Sequence, residues 1–599
     1  MSTAILTGQP VPGSSLESDL RALGFDVRVA AGAGDAETLL AAVPADQRVA
    51  IVDAGFVGHQ HALRLALTDP RFPAAAVPGA VAVRSDARQA LTRALAREHS
   101  AAPGGAEAAP LAGTLAEALD TDDVPVHRPD LGTLVATVPA DPQARNEARQ
   151  AVAAVDDEAV RLRSAVKARD GFFTTHFISP YSRYIARWCA RRGLTPNQVT
   201  TASLVTALIA AGCAATGTRP GYVAAGVLLI VSFVLDCTDG QLARYSLQYS
   251  TLGAWLDATF DRAKEYAYYA GLALGAARGG DDVWALALGA MVLQTCRHVV
   301  DFAFNEANHD ATANTSPTAA LSDRLDSVGW TVWVRRMIVL PIGERWAMIA
   351  VLTAATTPRI TFYALLVGCA FAATYTTAGR VLRSLTRKAR RTDRAAKALA
   401  DLADSGPLTE AVLRAVRGPL RAPAAVTALA GGVLVVGSAL LWGAGWQTVL
   451  CALLYTVTSV IAVARPLKGA LDWLVPPVFR AAEYGTVLVL AAESRVNGVL
   501  PAAFGLVAAV AYHHYDTVYR IRGDAGAPPS WLVRAIAGHE GRTLLVTVLA
   551  ALLAATQFKV ALTALAGYVA LVVLVESIRF WVTAHKSGAP AVHDEGEPA

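Results

Sequence analysis

Apolar and polar positions alternate in different regimes along the chain. From Thr3 to about Arg97, short apolar runs at Thr3–Leu6, Val27–Ala30, Val49–Val52 and Ala80–Val83 are interleaved with helical patterns at Leu16–Leu23 and Ala36–Ala42. That alternation predicts a small α/β layer with parallel strands. Residues 99–150 are rich in Ala, Pro, Asp and Gly, which predicts a loose linker with little core of its own. Between Ala159 and Arg192 a basic amphipathic stretch follows. Its Arg183, Arg187, Arg191 and Arg192 lie near Phe172, Phe173, Tyr181, Tyr184, Ile185 and Trp188, a composition suited to the lipid headgroup interface.

Long apolar runs then recur at about 199–218, 221–236, 263–279, 283–304, 345–357 and 360–379. Their connections near 219, 280 and 358 are short, whereas those around 237–262 and 305–344 and the segment after Arg380 are longer and hold most of the Lys and Arg. The positive-inside rule makes the longer ones cytoplasmic, so six spans have both ends inside. A basic connector with Arg383, Arg387, Lys388, Arg390, Arg391, Arg394 and Lys397 leads to six further runs, about 425–443, 447–464, 481–492, 496–512, 543–557 and 559–578. The expected chain is an α-helical polytopic membrane protein of twelve spans in two sets of six, carrying a small N-terminal α/β cytoplasmic domain. Its expected divisions are the α/β domain at 1–115, a linker at 116–157, and juxtamembrane amphipathic helices at 158–198. The first six-span bundle follows at 199–380, a basic connector at 381–424, a second bundle at 425–585 and a disordered tail at 586–599.

Composition narrows the class. Charged residues are 17% of 599, where soluble domains run near 25%, and the mean hydropathy is +0.38. Disorder and a nucleic-acid-binding role are excluded, and a soluble enzyme is disfavoured. A net charge of +4 is too small to define a polyanionic partner. The six cysteines, Cys189, Cys213, Cys237, Cys296, Cys369 and Cys451, form no CxxC pair and mostly lie in apolar runs, so they read as small packing residues. The first 23 residues lack the basic region and apolar core of a secretory signal, which places the expected N-terminus in the cytoplasm.

One stretch carries chemistry: DCTDGQLARYSLQYSTLGAWLDATFD. It sets Asp236, Asp239, Gly240, Ala243, Arg244, Gly253, Asp257 and Asp261 in the pattern D-x2-D-G-x2-A-R-x8-G-x3-D-x3-D. On helices, spacings of three and four put each pair of acids on one face. Four carboxylates at a bilayer edge repel one another and are costly to desolvate unless a cation compensates. All-oxygen ligation favours Mg²⁺ or Mn²⁺. Gly240 and Ala243 leave room for a flat ligand, and Arg244 can meet a phosphate.

This pattern resembles the signature of the CDP-alcohol phosphotransferase family and matches it without a departure. The resemblance extends over about Asp170–Arg380, through ARDGFF before the membrane, LTPNQVT opening the first span and LPIGERW opening the fifth. It implies that Asp236, Asp239, Asp257 and Asp261 form the metal site, with Asp261 also the general base that deprotonates an acceptor hydroxyl. It implies too that Asp239, Gly240, Ala243, Arg244 and Gly253 hold the CDP moiety, with Thr238 beside them. The family reaction is attack by an alcohol on the phosphorus distal to cytidine, with release of CMP, and family members are dimers. For a phosphorylated acceptor, Lys264 and Arg262 flank the base, while Arg297, Arg335, Arg336 and Arg345 sit on expected cytoplasmic loops.

Like the branch that makes inositol phosphodiesters, this chain has an α/β domain ahead of ARDGFF and LPIGER. The segment AILTGQPVPGSS, however, has Gly8 and Gly13 but no Lys or Arg before Arg21, so a nucleotidyltransferase-like fold there is expected to be degenerate. Its lone acid is Asp53.

The second half reads as a worn copy of the first. WLVPPVFRAAEYG (Trp473–Gly485) aligns without a gap with WLDATFDRAKEYA (Trp255–Ala267), and HEGRTLL (His539–Leu545) with IGERWAM (Ile342–Met348). In that alignment Val457, Val460, Val475 and Phe479 replace the four acids. Glu483, His513, His514, Asp516 and Arg520 remain as a polar cluster for a headgroup or metal. The favoured reading is phosphatidyl transfer from CDP-diacylglycerol to a polyol or its phosphate in phospholipid synthesis at the plasma membrane, with the active site cytoplasmic. Its rivals are a CDP-polyol donor in inositol phosphodiester synthesis and a twelve-span transporter. A further alternative makes the second half a lipid-binding or assembly module.

Overall fold

Pro78 and Gly79 decide the topology of the N-terminal sheet. The computed structural model describes residues 2–45, 47–69, 72–101, 110–167, 170–309, 337–386, 390–415, 422–523 and 525–586. Arg335, Arg336, Arg387, Lys388 and residues 587–599 of the expected tail lie outside these residues, while Lys586 ends the last helix. The strands are β1 (Ser2–Thr7), β2 (Phe25–Ala30), β3 (Val49–Asp53), β4 (Val57–Gly58), β5 (Ala74–Val77), β6 (Ala80–Val83), β7 (Val126–His127) and β8 (Ala136–Thr137). The main sheet has the order β2-β1-β3-β6-β5-β7. β1 runs parallel to β2 and β3, as expected, but β6 is antiparallel to both β3 and β5. The all-parallel expectation fails because two residues join β5 to β6. A parallel crossover needs a dozen or more, and Gly79 takes the left-handed φ of +84° that the tight turn requires.

The α/β fold also reaches past residue 115. Helices α1 (Leu16–Ala22), α2 (Ala33–Ala41), α3 (Gln60–Leu67), α4 (Arg88–Ala101) and α5 (Leu111–Thr121) accompany the sheet. α5 buries Leu115 and Leu119 in its core, β7 extends it beside β5, and β8 pairs with β4. The first part of the expected linker is therefore structured, because apolar residues at helical spacing find the sheet face to cover. α6 (Pro142–Ala153) buries no residue.

α7 (Asp157–Ser164) and a π-helical turn, Thr174–Ile178, lead into α8 (Ser179–Arg191). α8 buries Ser182, Ala186 and Cys189 and exposes Tyr181, Tyr184 and Trp188. Arg183 and Arg187 sit 5.1 and 5.2 Å from the Tyr184 ring, and Arg192 5.3 Å from that of Trp188. This aromatic and cationic face has the character of an interfacial helix.

The first bundle comprises α9 (Pro196–Ala215), α10 (Arg219–Ser246), α11 (Thr251–Arg278), α12 (Trp284–Asn308), α13 (Ile342–Ala355) and α14 (Pro358–Thr386). α15 (Asp393–Ala403) and α16 (Pro407–Ala415) form the connector. The second bundle comprises α17 (Ala424–Trp442), α18 (Trp446–Val463), α19 (Val475–Glu493) and α20 (Val499–Arg522), then the short α21 (Ser530–Ala535), α22 (Gly538–Leu552) and α23 (Ala555–Lys586). Eight stretches among the described residues are long and apolar enough to cross a membrane by length and composition. Of the expected spans, α11, α12, α13 and α20 fall outside that set; ionisable residues interrupt α11, α12 and α20, and α13 is only 14 residues long.

The expected loop at 237–262 is mostly helix. α10 continues to Ser246, α11 starts at Thr251, and only Leu247–Ser250 connect them. Apolarity ends at Asp236, but helical hydrogen bonding does not depend on apolarity.

The two bundles have six helix pairings in common, while α19 also packs on α22 and α11 also touches α14 without a counterpart of similar extent in the other bundle. α9 packs on α10 and α11, α10 on α13, α11 on α12, α12 on α14 and α13 on α14; likewise α17 packs on α18 and α19, α18 on α22, α19 on α20, α20 on α23 and α22 on α23. The bundles meet where α12 lies on α19 and α20 and α11 lies on α20 and α23.

Small residues set the closest crossing in the first bundle. A Cβ on Gly271 would stand 2.4 Å from the Ala211 carbonyl oxygen, and one on Gly275 would stand 2.0 Å from that of Ala214. Helices that share an apolar solvent associate through such close backbone approach. Gly275→Leu is therefore expected to force α11 off α9, costing about 3 kcal/mol or more, whereas Gly212→Leu, which meets no atom within 4 Å, is tolerated. Thermal unfolding in detergent, read by size-exclusion recovery, compares the two.

Candidate active site

α10 carries Asp236, Asp239, Gly240, Ala243 and Arg244 at helical spacings of three and four, and α11 carries Gly253, Asp257 and Asp261 at intervals of four. These faces line one cavity of about 370 Å³. One carboxylate oxygen each from Asp236, Asp257 and Asp261 lies within 4.8 Å of the others. Asp239 lines the same cavity outside that group, and its buried Oδ2 has no hydrogen-bond partner. Lys264 Nζ, fully buried, donates to Asp236 and, at 3.1 Å, to Asp261. No cation lies within ion-pair distance of Asp239 or Asp257 among the described residues. Five carboxylates, counting Asp170, face Lys264 and the cavity-lining Lys167 and Arg244, which leaves a surplus of negative charge, and the all-oxygen donor set fits Mg²⁺ or Mn²⁺.

The cavity wall explains two motif residues. Arg244 Nε donates to the Ala165 carbonyl at 2.6 Å, and a Cβ on Gly240 would approach Arg244 Nη1 to 3.4 Å. At Gly253 a Cβ would stand 2.7 Å from Asn197 Oδ1, so this glycine lets the start of α11 seat against the segment LTPNQVT.

Other expected site residues lie elsewhere. Thr238 is fully buried outside the lining and donates to the Val234 carbonyl at 2.7 Å. Each helical residue turns about 100°, so position 238 faces away from 236 and 239. The same arithmetic separates the acceptor candidates on α11. Lys264 is three residues past Asp261 and seven past Asp257, on their face, whereas Arg262 is turned aside. Arg262 instead binds Glu265 at 2.8 Å and lies 3.4 Å from His298 Nδ1. Arg345 pairs with the same Glu265 at 3.2 Å, and Arg297 donates to the Val339 carbonyl. None of these three arginines lines the cavity.

Glu265 binds both Arg262 and Arg345 and accepts from Tyr269 at 2.6 Å, a role outside the motif. Its signal was the R-x-x-E shared by RAKE and RAAE. Asp170, Asn197 and Thr200 join the cavity from segments noted for their resemblance, and Lys167 from the basic amphipathic stretch.

The polar cluster of the second half divides into two buried networks, neither of which lines this cavity. In one, Arg480 and Arg542 bind Glu483 at 3.0 and 2.5 Å, and Arg542 and His513 bind Asp404 at 2.7 and 3.2 Å. In the other, Asp516 pairs with Arg520 at 2.8 Å, and Arg520 also pairs with Glu576. His514 is buried too, with no partner for Nε2. Among the described residues none of this group forms a cluster tight enough for a metal. In the N-terminal domain, Asp53 accepts from Thr7 Oγ1 at 3.1 Å and from Leu111 N at 3.0 Å. Burial pushes its carboxyl above the usual range.

Residues 193–371 match the CDP-alcohol phosphatidyltransferase family. The chain carries a CDP-alcohol phosphatidyltransferase domain. Residues 393–599 match a family of unknown function, DUF5941. The transferase domain is similar to the phosphatidylinositol phosphate synthase of Streptomyces avermitilis, 35% identical over 131 residues, which are 20% of this chain and 51% of that protein. It is also similar to the archaetidylinositol phosphate synthase of Pyrococcus horikoshii, 31% identical over 113 residues, 19% of this chain and 58% of the relative. The bifunctional IPC transferase and DIPP synthase of Aquifex aeolicus is 30% identical over 114 residues, 19% of this chain and 26% of the relative. The chain thus spans about half the length of the two synthases and about a quarter of the bifunctional protein.

Loss of one acid of the close group should be felt at once by an ion. Mn²⁺ binding, followed by electron paramagnetic resonance, is expected to weaken about a hundredfold in Asp257→Asn and to stay unchanged in Thr238→Val.

Proposed function

We propose that the transferase domain moves a phosphatidyl group from CDP-diacylglycerol to a phosphorylated inositol, releasing CMP at the cytoplasmic face of the plasma membrane. The observation that carries this reading is the group of three carboxylate oxygens within 4.8 Å of one another in a cavity also lined by Gly240 and Arg244. The names of the synthases of Streptomyces and Pyrococcus support an inositol phosphate product.

Asp236, Asp239, Asp257 and Asp261 would hold Mg²⁺ or Mn²⁺, which when bound neutralises charge on the diphosphate. Arg244 meets a phosphate oxygen of the CDP moiety, and Gly240 and Ala243 let the nucleotide approach α10. Asp261 accepts the proton of the acceptor hydroxyl. The alkoxide oxygen bonds to the phosphorus distal to cytidine, that phosphorus parts from the bridging oxygen, and CMP leaves with the electron pair. Lys264 lies beside Asp261 and fixes its carboxylate without entering the bond changes.

A CDP-polyol donor is the second reading, favoured by the α/β domain that precedes the membrane bundle and by the similarity to the bifunctional protein of Aquifex. Membranes given labelled CDP-diacylglycerol, Mn²⁺ and a panel of alcohols that includes inositol phosphates are expected to release CMP and form lipid product only with the inositol phosphate. Asp261→Asn should lower that rate by about 10²–10⁴-fold. Turnover of a CDP-polyol without CDP-diacylglycerol would move the assignment to the second reading.

A further inference from the structure

We propose that residues 393–586 are a catalytically silent second copy of the transferase bundle that serves the first as a fixed partner, with Tyr515 and Trp581 as positioning residues for helix α11. The inference rests on the transferase reading for its rate measurements and on the packing of the two bundles for everything else.

Four correspondences support the copy beyond the shared helix neighbours. First, Arg262 and Glu265 on α11 with Arg345 on α13 form the same triad as Arg480 and Glu483 on α19 with Arg542 on α22. Second, His298 and Asp301 on α12 are spaced like His513 and Asp516 on α20, and each acid bonds the last helix of its own bundle, Asp301 through Arg380 and Asp516 through Ser577. Third, Arg345 precedes Arg380 by the same 35 residues that separate Arg542 from Ser577. Fourth, a glutamate near the start of the fifth helix, one position out of step in the aligned segments, accepts a backbone N–H from the segment ahead of the bundle, Glu344 from Phe173 at 3.3 Å and Glu540 from Gly406 at 2.8 Å. What the copy has lost is the chemistry: Val475 and Phe479, which align with Asp257 and Asp261, are fully buried apolar residues.

The retained copy grips α11 from behind. Trp581 on α23 stacks on Trp255, with ring centroids 6.2 Å apart and planes 22° from parallel. The ring of Tyr515 on α20 lies 5.3 Å from the Arg262 guanidinium, and its hydroxyl bonds His298 Nδ1. Trp255 and Arg262 are seven residues apart and so share one face of α11, whereas Asp257 and Asp261 point roughly the opposite way at about 100° per residue. The two grips thus bracket the two acids along the helix, one just before Asp257 and one just after Asp261. Trp581 is itself fixed, since its Nε1 donates to Asp516 Oδ1 at 2.6 Å while Arg520 pairs with the same carboxylate. The second buried network thereby acquires a purpose: it holds the ring that holds the catalytic helix.

Displacement of a base by about 1 Å costs on the order of a hundredfold in rate. In the full chain, Tyr515→Leu and Trp581→Leu are expected to lower kcat about 10–100-fold while KM for CDP-diacylglycerol stays within about twofold. Trp581→Phe, which keeps a stacked ring, should recover most of the rate. Tyr515→Phe loses only the hydroxyl and should fall about fivefold, so it carries the test if the leucine variant does not fold. Tyr455→Phe, at a buried hydroxyl of the second bundle bonded to His539 at 2.8 Å, should keep the wild-type kcat.

Wild-type kcat in folded Tyr515→Phe and Trp581→Leu would overturn the proposal, as would an equal loss in Tyr455→Phe. Mn²⁺ affinity by electron paramagnetic resonance, which needs no substrate, is expected to weaken in Tyr515→Leu and Trp581→Leu and to hold in Tyr455→Phe. A chain that shows these metal responses but turns over no CDP donor would overturn the transferase reading and leave the brace standing.

Discussion

Repulsion among carboxylates in an apolar bundle is the constraint to which the rest of the structure answers. Asp236, Asp257 and Asp261 bring oxygens within 4.8 Å of one another, with Asp239 in the same cavity. Nothing local makes such a group favourable, because each charge loses water and gains a like neighbour. Three features of the fold hold it together. Lys264 supplies a buried ammonium from the same face of α11, α10 runs on as helix past the end of its apolar stretch, and Gly271 and Gly275 clamp the far part of α11 onto α9. The residual negative charge is then available for a divalent ion.

How much of this could be read in advance follows from what each signal measures. The four acids were legible because their spacings coincide with the helical repeat, so sequence order alone put each pair on one face. Direction around the helix was harder. Arg262 adjoins Asp261 in sequence yet faces Glu265, while Lys264, two residues further on, reaches the acids. Hydropathy marked helix ends wrongly at Asp236 for a related reason, since it reports the solvent a residue prefers and not whether the backbone keeps its hydrogen bonds. The mixed sheet was missed because apolar runs give no sense of direction, and only the two-residue link at Pro78 and Gly79 does so. Glu265 escaped because a buried structural acid has no motif of its own within one copy.

On the proposal that residues 393–586 are a second copy, one scaffold stands under opposite electrostatic conditions in the two bundles. In the first, the cavity holds four acids of the motif whose charges are incompletely compensated. In the second, Asp404 and Glu483 lie between Arg480 and Arg542, and apolar Val475 and Phe479 fill the aligned acid positions. Loss of a metal site in an apolar bundle calls for the removal of its acids together, because a carboxylate left without its ion or partner is the costly state.

The Arg–Glu–Arg triad occurs in both bundles, whereas the acid cluster occurs in one. A group needed for acceptor recognition has no reason to persist where no reaction is carried out. A group needed to join the third and fifth helices persists in both, since truncating one member of a buried ion pair costs about 3–5 kcal/mol. Arg262 and Arg345 therefore belong to the architecture of the bundle, a conclusion in accord with their absence from the cavity wall. Under the proposed transfer to a phosphorylated acceptor, Lys167, which lines the cavity from the juxtamembrane segment, is the basic residue left for that acceptor, since Arg244 is assigned to the donor's phosphate.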